Sequence, residues 1–277
     1  MEKQKIQKIQ MVVTDLDDTL LSQTKEISEE AVRLIEELEK RNVRFTFITG
    51  RPPYAVKRFA DKVNITAPIV ACNGAMIVNA ETEEIIEKSP LPLKPLEEIL
   101  KQAKEQGHTV LILAGNIEYT LSETSWTRKR KEDGRELPMV ELENLVLRED
   151  IYKVNIMEEA GQSPFSDFIP RIEEKRTEYS IALYGTSGCE IVAKNINKET
   201  GLRKLCRLCG AEPEYVLAVG DNENDLEMLK AAGVGAAVAN ASSAVKKTAD
   251  YVCDRGYTEG VIEAISKFVM GEEGGKR

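Results

Sequence analysis

The sequence has little of what several common catalytic sites require. Its 277 residues include one histidine, His108, so a Ser-His-Asp or Cys-His mechanism would have to use it, and no suitable nucleophile motif accompanies it. The five cysteines are an odd number without the spacing of a disulfide framework. Cys206 and Cys209 form a CxxC pair, but the sequence has neither a second CxxC nor a histidine pair to complete a zinc site. These thiols fit a reducing compartment.

Long apolar runs and an excess of positive charge are also missing. The longest apolar stretches fall far short of the ~20 residues that a membrane helix needs. The N-terminal segment MEKQKIQKIQ is too polar to be the hydrophobic region of a signal peptide. The 38 Lys and Arg residues against 47 Asp and Glu give a net charge of -9, which argues against a general nucleic-acid binder. We therefore expect a cytoplasmic protein with no membrane partner and no nucleic-acid partner.

What is present is a series of apolar, β-rich segments that predicts a parallel sheet. Four of them are nearly continuous in apolar residues and end abruptly in polar ones, as strands covered on both faces do: 9–14, 43–48, 67–71 and 215–219. Helical patterns follow several of them, at 28–40, 53–62, 197–208 and 225–232. This alternation predicts an α/β fold, a Rossmann-like doubly wound sheet with a functional site at the carboxyl ends of its strands.

The middle of the chain has a different pattern, which predicts an inserted α+β unit. It combines two long helical patterns, at 93–105 and 165–176, with short alternating segments at 109–114, 152–157 and 179–184. We expect residues 1–88 and 189–277 to form the core and residues 89–188 to form the inserted unit, with hinges at 89–92 and 185–188. The charged run 127–136 is expected to be a solvated loop.

The strongest candidate for chemistry comes directly after the first predicted strand, where Asp15 and Asp17 stand two residues apart. Two carboxylates at the end of a buried strand are costly for a fold, and their repulsion should raise the pKa of one of them. Such a pair suits a nucleophile that forms a covalent intermediate and a general acid or base. A calcium loop is the alternative, but Leu20 stands where that loop needs glycine, and a strand precedes it.

A second polar group comes after the strand 43–48. Thr49, Gly50 and Arg51 combine a hydroxyl, a glycine amide and the start of a helix, which together can bind an anion. Alone this signal is weak, because such turns are common in α/β folds. Lys198 lies near the start of another helical pattern, where a lone lysine is a surface residue by default.

A third polar group comes after the strand 215–219. Asp221, Asn224 and Asp225 stand at the head of a predicted helix, where an Asn or Asp can also serve as an N-cap. Because they share a sheet edge with Asp15, their oxygen atoms suggest a magnesium site. Mg²⁺ favours few carboxylates together with waters and substrate phosphate, which fits this set.

Taken in order, these groups resemble the four motifs of the haloacid dehalogenase-like superfamily. The motifs are Asp15-x-Asp17-x-Thr19, Thr49, Lys198 and Gly220-Asp221-x-x-Asn224-Asp225. The segments ITGRP, ACNGA, EIVAKNINK and VGDNENDLEML resemble its Cof-type branch of sugar-phosphate phosphatases. The insertion between the second and third motifs corresponds to the place where that branch carries a large α/β cap, which selects the substrate. Asp18 is a small departure, because glycine is common at that position.

The resemblance implies a role for each matching residue. Asp15 would be the nucleophile, and Asp17 would be the acid and base, with a pKa raised above the usual ~3.9 through crowding by Asp15. Phosphate would be bound by four residues: Thr49, Gly50, Lys198 and Asn224. Arg51 and Asn73 would line the substrate cleft. Mg²⁺ would be held by the Asp15 carboxylate, the backbone carbonyl of Asp17 and Asp221, and Asp225 would support these contacts.

The function implied is that of a Mg²⁺-dependent phosphatase acting on small phosphorylated metabolites, in particular sugar phosphates, through an aspartyl-phosphate intermediate. A phosphomutase of the same superfamily is one alternative, and it would return the phosphoryl group to another hydroxyl. A non-enzymatic module that senses a phosphorylated ligand is another, but such a protein would be expected to lack Asp17 or Lys198. A monomer or a small homo-oligomer is expected.

Overall fold

The computed structural model describes residues 8–135 and 137–271, and the chain divides into two compact units. The first unit combines the chain up to Glu87 with the chain from Asn197 onward, and the second unit runs from Lys88 to Ile196. Each unit has an apolar core of its own. Within the described ranges, no helix has both the length and the apolar character needed to cross a bilayer.

The first unit is built from alternating strands and helices. Its strands are β1 (Met11–Thr14), β2 (Arg44–Phe47), β3 (Ile69–Ala71), β4 (Met76–Val78), β5 (Ile85–Lys88, whose last residue is assigned to the second unit), β11 (Val216–Gly220), β12 (Val234–Ala237) and β13 (Tyr251–Val252). Its helices are α1 (Glu29–Lys40), α2 (Pro53–Ala60), α7 (Lys198–Cys209), α8 (Leu226–Ala231), α9 (Ser243–Thr248) and α10 (Tyr257–Ile265).

Five of these strands form a parallel sheet in the order β13-β12-β11-β1-β2. A parallel bridge between Ile48 and Val70 adds β3 beside β2, and β3 also begins a small sheet in the order β3-β4-β5. Successive residues of a strand point to opposite faces, and both Val12 and Val13 of β1 are fully buried. The sheet is therefore covered on both faces, and the predicted α/β fold class is confirmed.

The helix boundaries of this unit are explained by local capping. The Ser28 side chain accepts a hydrogen bond from the Ala31 N–H, so α1 begins directly after the predicted cap. Asn197 and Thr200 form a reciprocal capping box at the start of α7. Gly210 ends α7 in a left-handed conformation with φ +61°, which glycine adopts at little cost.

The second unit is an antiparallel sheet with helices, as the alternating segments predicted. Its strands are β6 (Thr109–Ala114), β7 (Ile117–Thr120), β8 (Ile151–Met157), β9 (Tyr179–Leu183) and β10 (Gly188–Ala193). They lie in the order β7-β6-β8-β10-β9. Its helices are α3 (Glu97–Glu105), α4 (Ser125–Glu132), α5 (Glu143–Val146) and α6 (Ile169–Glu174). Apolar side chains of α3, α5 and α6 pack against the sheet in one core.

The second domain boundary lies between residues 196 and 197, whereas the sequence predicted it between residues 188 and 189. Residues 188–193 form β10, which pairs with β8 and β9 and so belongs to the sheet of the second unit. The predicted hinge at 185–188 is the tight turn between β9 and β10, with Gly185 at φ +58°. The other predicted hinge, at 89–92, lies directly after the first boundary.

The structure also corrects the expected loop at 127–136, whose residue 136 lies outside the described residues. The Thr124 side chain accepts a hydrogen bond from the Thr127 N–H and begins helix α4, which contains most of the charged run. Arginine and lysine are good helix formers, so a capped charged segment can be helical without an apolar stripe. A high density of charge alone therefore does not make this segment a loop.

Candidate active site

The predicted site residues of the first unit lie at the carboxyl ends of neighbouring parallel strands. Asp15 comes after β1, Thr49 after β2, and Asp221 after β11, and these strands are adjacent in the sheet. The Asp15 N–H continues the strand pairing by donating to the Val219 carbonyl at 3.0 Å. Residues distant in sequence thus meet at one edge because the strands are parallel and in register.

Lys198, one of the predicted phosphate-binding residues, is buried. It is the first residue of α7, and its Nζ lies 2.8 Å from Asp15 Oδ1 and 2.6 Å from Asp225 Oδ1. Burial on its own would lower the pKa of Lys198, but the two carboxylates outweigh it and raise that pKa. The ammonium is therefore held charged inside the protein.

Asp15 is 7% exposed and shares Lys198 with another acid. Burial raises the pKa of Asp15 to about 7, with Lys198 opposing the rise and Asp225 and Asp221 adding to it. A nucleophilic carboxylate must be ionised. Further positive charge at this place would favour that form.

Asp225 is fully buried, and both of its oxygen atoms accept hydrogen bonds. Oδ1 accepts from Lys198, and Oδ2 accepts from the backbone N–H groups of Asp221 and Asn222, each at 3.1 Å. A Cβ on Gly220 would lie 2.6 Å from Cβ and Cγ of Asp225, so only glycine leaves room for this side chain. Asp225 thus fixes both the lysine and the loop that carries Asp221.

Asp221 is oriented by the first motif. The Thr19 hydroxyl, which is fully buried, donates to Asp221 Oδ1 at 2.6 Å. Burial raises the pKa of Asp221 to about 6; the Thr19 hydrogen bond and Lys198 oppose the rise, and repulsion from Asp225 adds to it. Thr19 therefore links the loop after β1 to the loop after β11.

Carboxylate oxygens of Asp15, Asp221 and Asp225 lie within 4.8 Å of one another. Hard oxygen ligands of this kind suit Mg²⁺, and a divalent cation would offset the repulsion that, after burial, adds to the rise in the pKa values of Asp15 and Asp221. The grouping contains Asp225, which was not among the predicted ligands, and it is limited to side chains, so it does not include the predicted backbone carbonyl of Asp17. Since Lys198 and two backbone amides already occupy the oxygens of Asp225, Asp15 and Asp221 fit a metal better.

Asp17 is held by two basic side chains. Arg51 donates from Nε to Oδ2 at 2.6 Å and from Nη2 to Oδ1 at 2.7 Å, and Lys25 Nζ lies 3.2 Å from Oδ1. Burial alone would raise the pKa of Asp17, but the Arg51 and Lys25 contacts outweigh it, and the pKa is lowered. The expectation of a raised pKa was wrong, because these cations, rather than Asp15, set the charge around this carboxyl.

The remaining predicted residues form a hydrogen-bonded group beside Thr49. The Thr49 side chain is buried, and its Oγ1 accepts from the Arg51 N–H at 3.2 Å. Asn73 Oδ1 accepts from Asn224 Nδ2 at 3.1 Å, and a Cβ on Gly50 would lie 3.4 Å from the Asn73 side chain. The Asn73 N–H also donates to the Thr49 carbonyl at 2.9 Å, so Asn73 connects the second and fourth motifs. Arg51, which was predicted to line the substrate cleft, pairs with Asp17.

The profile of the haloacid dehalogenase-like hydrolases matches residues 12–265. The chain belongs to this family. Among its relatives, the 5-amino-6-(5-phospho-D-ribitylamino)uracil phosphatase YcsE of Bacillus subtilis is 26% identical over 269 residues, covering 95% of this chain and 96% of the relative. The phosphoglycolate phosphatase of Methanopyrus kandleri is 29% identical over 260 residues, covering 94% and 97%.

Solved structures agree with this membership. A haloacid dehalogenase-like hydrolase from Bacteroides thetaiotaomicron has 27% sequence identity and a TM-score of 0.78, covering 94% of this chain and 99% of that one. The resemblance inferred from the four motifs is confirmed. Because the curated relatives are phosphatases and the fold is that of the hydrolases, the chain is an enzyme, a haloacid dehalogenase-like phosphatase.

Two residues of this hydrolase contribute contacts to the site that the sequence did not predict. Thr19 belongs to the first motif, so its sequence signal was present and only its partner, Asp221, was missing. Lys25 gave no signal, because it lies in the turn between Ser22 and Glu26 and reaches Asp17 only through that turn. The left-handed φ of +58° at Asp18 explains why glycine is common there.

Proposed function

We propose that this protein is a Mg²⁺-dependent phosphatase that hydrolyses small phosphorylated metabolites, sugar phosphates in particular, through an aspartyl-phosphate intermediate. One observation carries the proposal: the fully buried Lys198 ammonium lies between the carboxylates of Asp15 and Asp225. Moving such charged groups from water into the protein interior costs on the order of several kcal/mol per ion. A site that binds and transfers a phosphate dianion gives this arrangement a use.

In the first step, a carboxylate oxygen of Asp15 attacks phosphorus. The bond between phosphorus and the leaving oxygen breaks, and its electron pair stays on that oxygen. The oxygen takes a proton from Asp17, which must be protonated for this step although Arg51 and Lys25 lower its pKa. Lys198 holds the Asp15 side chain from one oxygen, at 2.8 Å, which fixes its direction before the attack. The products of this step are a free alcohol and the phosphoryl group on Asp15.

In the second step, water attacks the same phosphorus atom. Asp17, now ionised, takes a proton from this water, and the bond from phosphorus to Asp15 breaks with its electron pair returning to Asp15. Inorganic phosphate leaves, and Asp17 carries the proton for the next cycle. One carboxyl thus serves as acid and then as base.

Charge neutralisation supports both steps. We propose that Thr49, Gly50, Lys198 and Asn224 bind the phosphoryl oxygens. The residues that would hold Mg²⁺ are Asp15, Asp221 and the backbone carbonyl of Asp17. Bound Mg²⁺ would supply positive charge that reduces the repulsion between the phosphate and the carboxylates.

The relatives of this chain bear on the substrate class. The two relatives are named for a phosphoribitylamino-uracil and for phosphoglycolate, both of which are small phosphorylated metabolites. These names support a small substrate, and the second unit is proposed to select it while the first unit performs the chemistry. No observed feature favours a phosphomutase over a phosphatase.

The proposal is tested by measuring phosphate release from 4-nitrophenyl phosphate with and without Mg²⁺. We expect Mg²⁺-dependent turnover in the wild type and none above background in Asp15→Asn. Asp61→Asn is the matched control, because it makes the same change at an exposed residue of the first unit that pairs with Lys57. Folded wild-type protein that binds Mg²⁺ but turns over neither this compound nor a panel of sugar phosphates would contradict the proposal.

A further inference from the structure

The Asp17 carboxylate makes several close ionic contacts although it is partly exposed to solvent. Both of its oxygens accept from one guanidinium, at 2.6 and 2.7 Å, and Lys25 adds a third contact at 3.2 Å. Exposed ion pairs contribute little to stability, and the Asp17 side chain is 38% exposed. The geometry nevertheless fixes the plane and direction of the carboxylate, because the planar guanidinium donates to both of its oxygens at once.

Arg51 is itself held in place. Its own N–H donates to Thr49 Oγ1, and its guanidinium carbon lies 4.9 Å from the centre of the Phe59 ring in α2. The Arg51 side chain is 19% exposed, so the ring and the surrounding loop restrict it. The contacts with α2 and with the loop after β2 therefore restrict Arg51, and Arg51 in turn restricts Asp17.

We propose that Arg51 is the positioning residue that orients Asp17 as the base of the second step, with Lys25 as a weaker anchor. This inference rests on the proposed function. The step concerned is hydrolysis of the phosphorylated Asp15: water oxygen bonds to phosphorus, its proton passes to Asp17, and the phosphorus bond to Asp15 breaks. Arg51 touches neither the water nor the phosphoryl group in this scheme, and it acts only through Asp17.

This role differs from the substrate-cleft role expected from the sequence, and the two have different kinetic consequences. A residue that binds substrate phosphate affects every step up to release of the alcohol, so its loss lowers kcat/KM. A residue that orients Asp17 also affects the first step when the leaving oxygen needs a proton, but with a leaving group that needs none it affects only the steps after that release. Its loss therefore lowers kcat while kcat/KM stays unchanged, and phosphorylated enzyme accumulates.

The test uses 4-nitrophenyl phosphate with Mg²⁺, because nitrophenolate leaves without needing an acid. In Arg51→Met we expect a burst of nitrophenolate stoichiometric with enzyme, then a kcat reduced about tenfold to a hundredfold, with kcat/KM unchanged. Arg51→Lys keeps the charge but lacks the fork, so partial recovery of kcat is expected. Arg58→Met is the matched control, since Arg58 stacks on the same Phe59 ring at 4.4 Å.

A measurement without turnover checks the contact itself. Denaturant unfolding of metal-free wild type, Arg51→Met, Asp17→Asn and the double variant forms a cycle, and we expect non-additive effects for two groups in direct contact. Additive effects would show that the pair is not formed in solution, and the inference would fall.

The kinetic outcomes separate this inference from the proposed function. Equal losses of kcat and kcat/KM in Arg51→Met would overturn the positioning role and assign Arg51 to substrate binding. A reduced burst amplitude with an unchanged rate per active enzyme would also overturn it, because the effect would then be structural. Absence of turnover in the wild type would remove the proposed function, and this inference with it, whatever the variants do.

Discussion

Protonation of His108 is expected to destabilise the second unit. The imidazole is fully buried, neither ring nitrogen has a hydrogen-bond partner among the described residues, and the ring packs edge-on against Phe165 and Phe168 at 6.1 and 5.0 Å between centroids. Burial lowers the pKa of His108 below its usual 6.5, although Glu158 and Glu159 partly oppose the shift. The folded protein thus disfavours the charged imidazolium.

Proton linkage determines the sign and size of the effect. Above the unfolded-state pKa the imidazole is neutral in both states, so His108 contributes no pH dependence. As the pH falls below that pKa, the unfolded chain takes up a proton that the folded protein resists, and stability is lost. Because His108 takes up at most one proton, the free energy of unfolding falls by at most about 1.4 kcal/mol between about pH 7.5 and pH 5.5.

The assay is denaturant unfolding monitored by the fluorescence of Trp126, the single tryptophan, which lies in the second unit. The wild type is compared with His108→Leu at several pH values, because carboxyl groups elsewhere titrate equally in both. We expect the stability of the wild type relative to the variant to fall as the pH is lowered. Parallel pH dependences in the two proteins would refute the reasoning, since they would show that the folded state accommodates the imidazolium.

Three further changes probe the catalytic unit. Lys198→Met leaves two buried carboxylates without their cation, so we expect about 3–5 kcal/mol less stability by urea unfolding and at least about a hundredfold lower kcat. Gly220→Ala forces a Cβ to within 2.6 Å of Asp225, so about 1–3 kcal/mol of destabilisation and a reduced kcat are expected in the same assays. Thr19→Val removes the hydroxyl that orients Asp221, and we expect half-maximal phosphate release to require a roughly tenfold higher Mg²⁺ concentration.

Matched controls make these outcomes specific. Gly210→Ala strains a left-handed residue with no atom within 4 Å of the new Cβ, so it should cost stability but not kcat. Thr46→Val removes a buried hydroxyl whose hydrogen bond goes to the Pro68 carbonyl rather than to an acid, and it should leave the Mg²⁺ titration unchanged. Wild-type turnover in Lys198→Met, or equal Mg²⁺ curves for Thr19→Val and its control, would contradict the assigned contacts.

The main features of the fold and the candidate site could be predicted because their signals are local. Strands buried on both faces are recognisable as continuous apolar runs, and polar residues directly after them must gather at one sheet edge when the strands are parallel. This reasoning groups Asp15, Thr49 and Asp221 from the sequence alone. The capping residues Ser28 and Asn197 mark helix starts in the same local way.

The errors concern properties that neighbours in sequence do not determine. The pairing of Arg51 with Asp17 depends on where a long side chain lands after folding, so the direction of the Asp17 pKa could not be obtained from Asp15 alone. The segment 188–193 is apolar enough to suit either unit, and only its pairing partners assign it. Spacing alone could not place Lys198 in the site, where only the family resemblance predicted it, because its burial depends on the carboxylates that meet it.

The division of the first unit into two chain segments has a consequence for synthesis on the ribosome. Thr19 and Asp221, which are hydrogen bonded in the site, are 202 residues apart in the chain. At about 5–20 residues per second, roughly 10–40 s pass between the emergence of Thr19 and that of Asp221. For most of this time the nascent chain carries Asp15 without Lys198. Every prematurely terminated product that ends within the second unit therefore lacks the buried ammonium, and under the proposed function we expect it to be inactive.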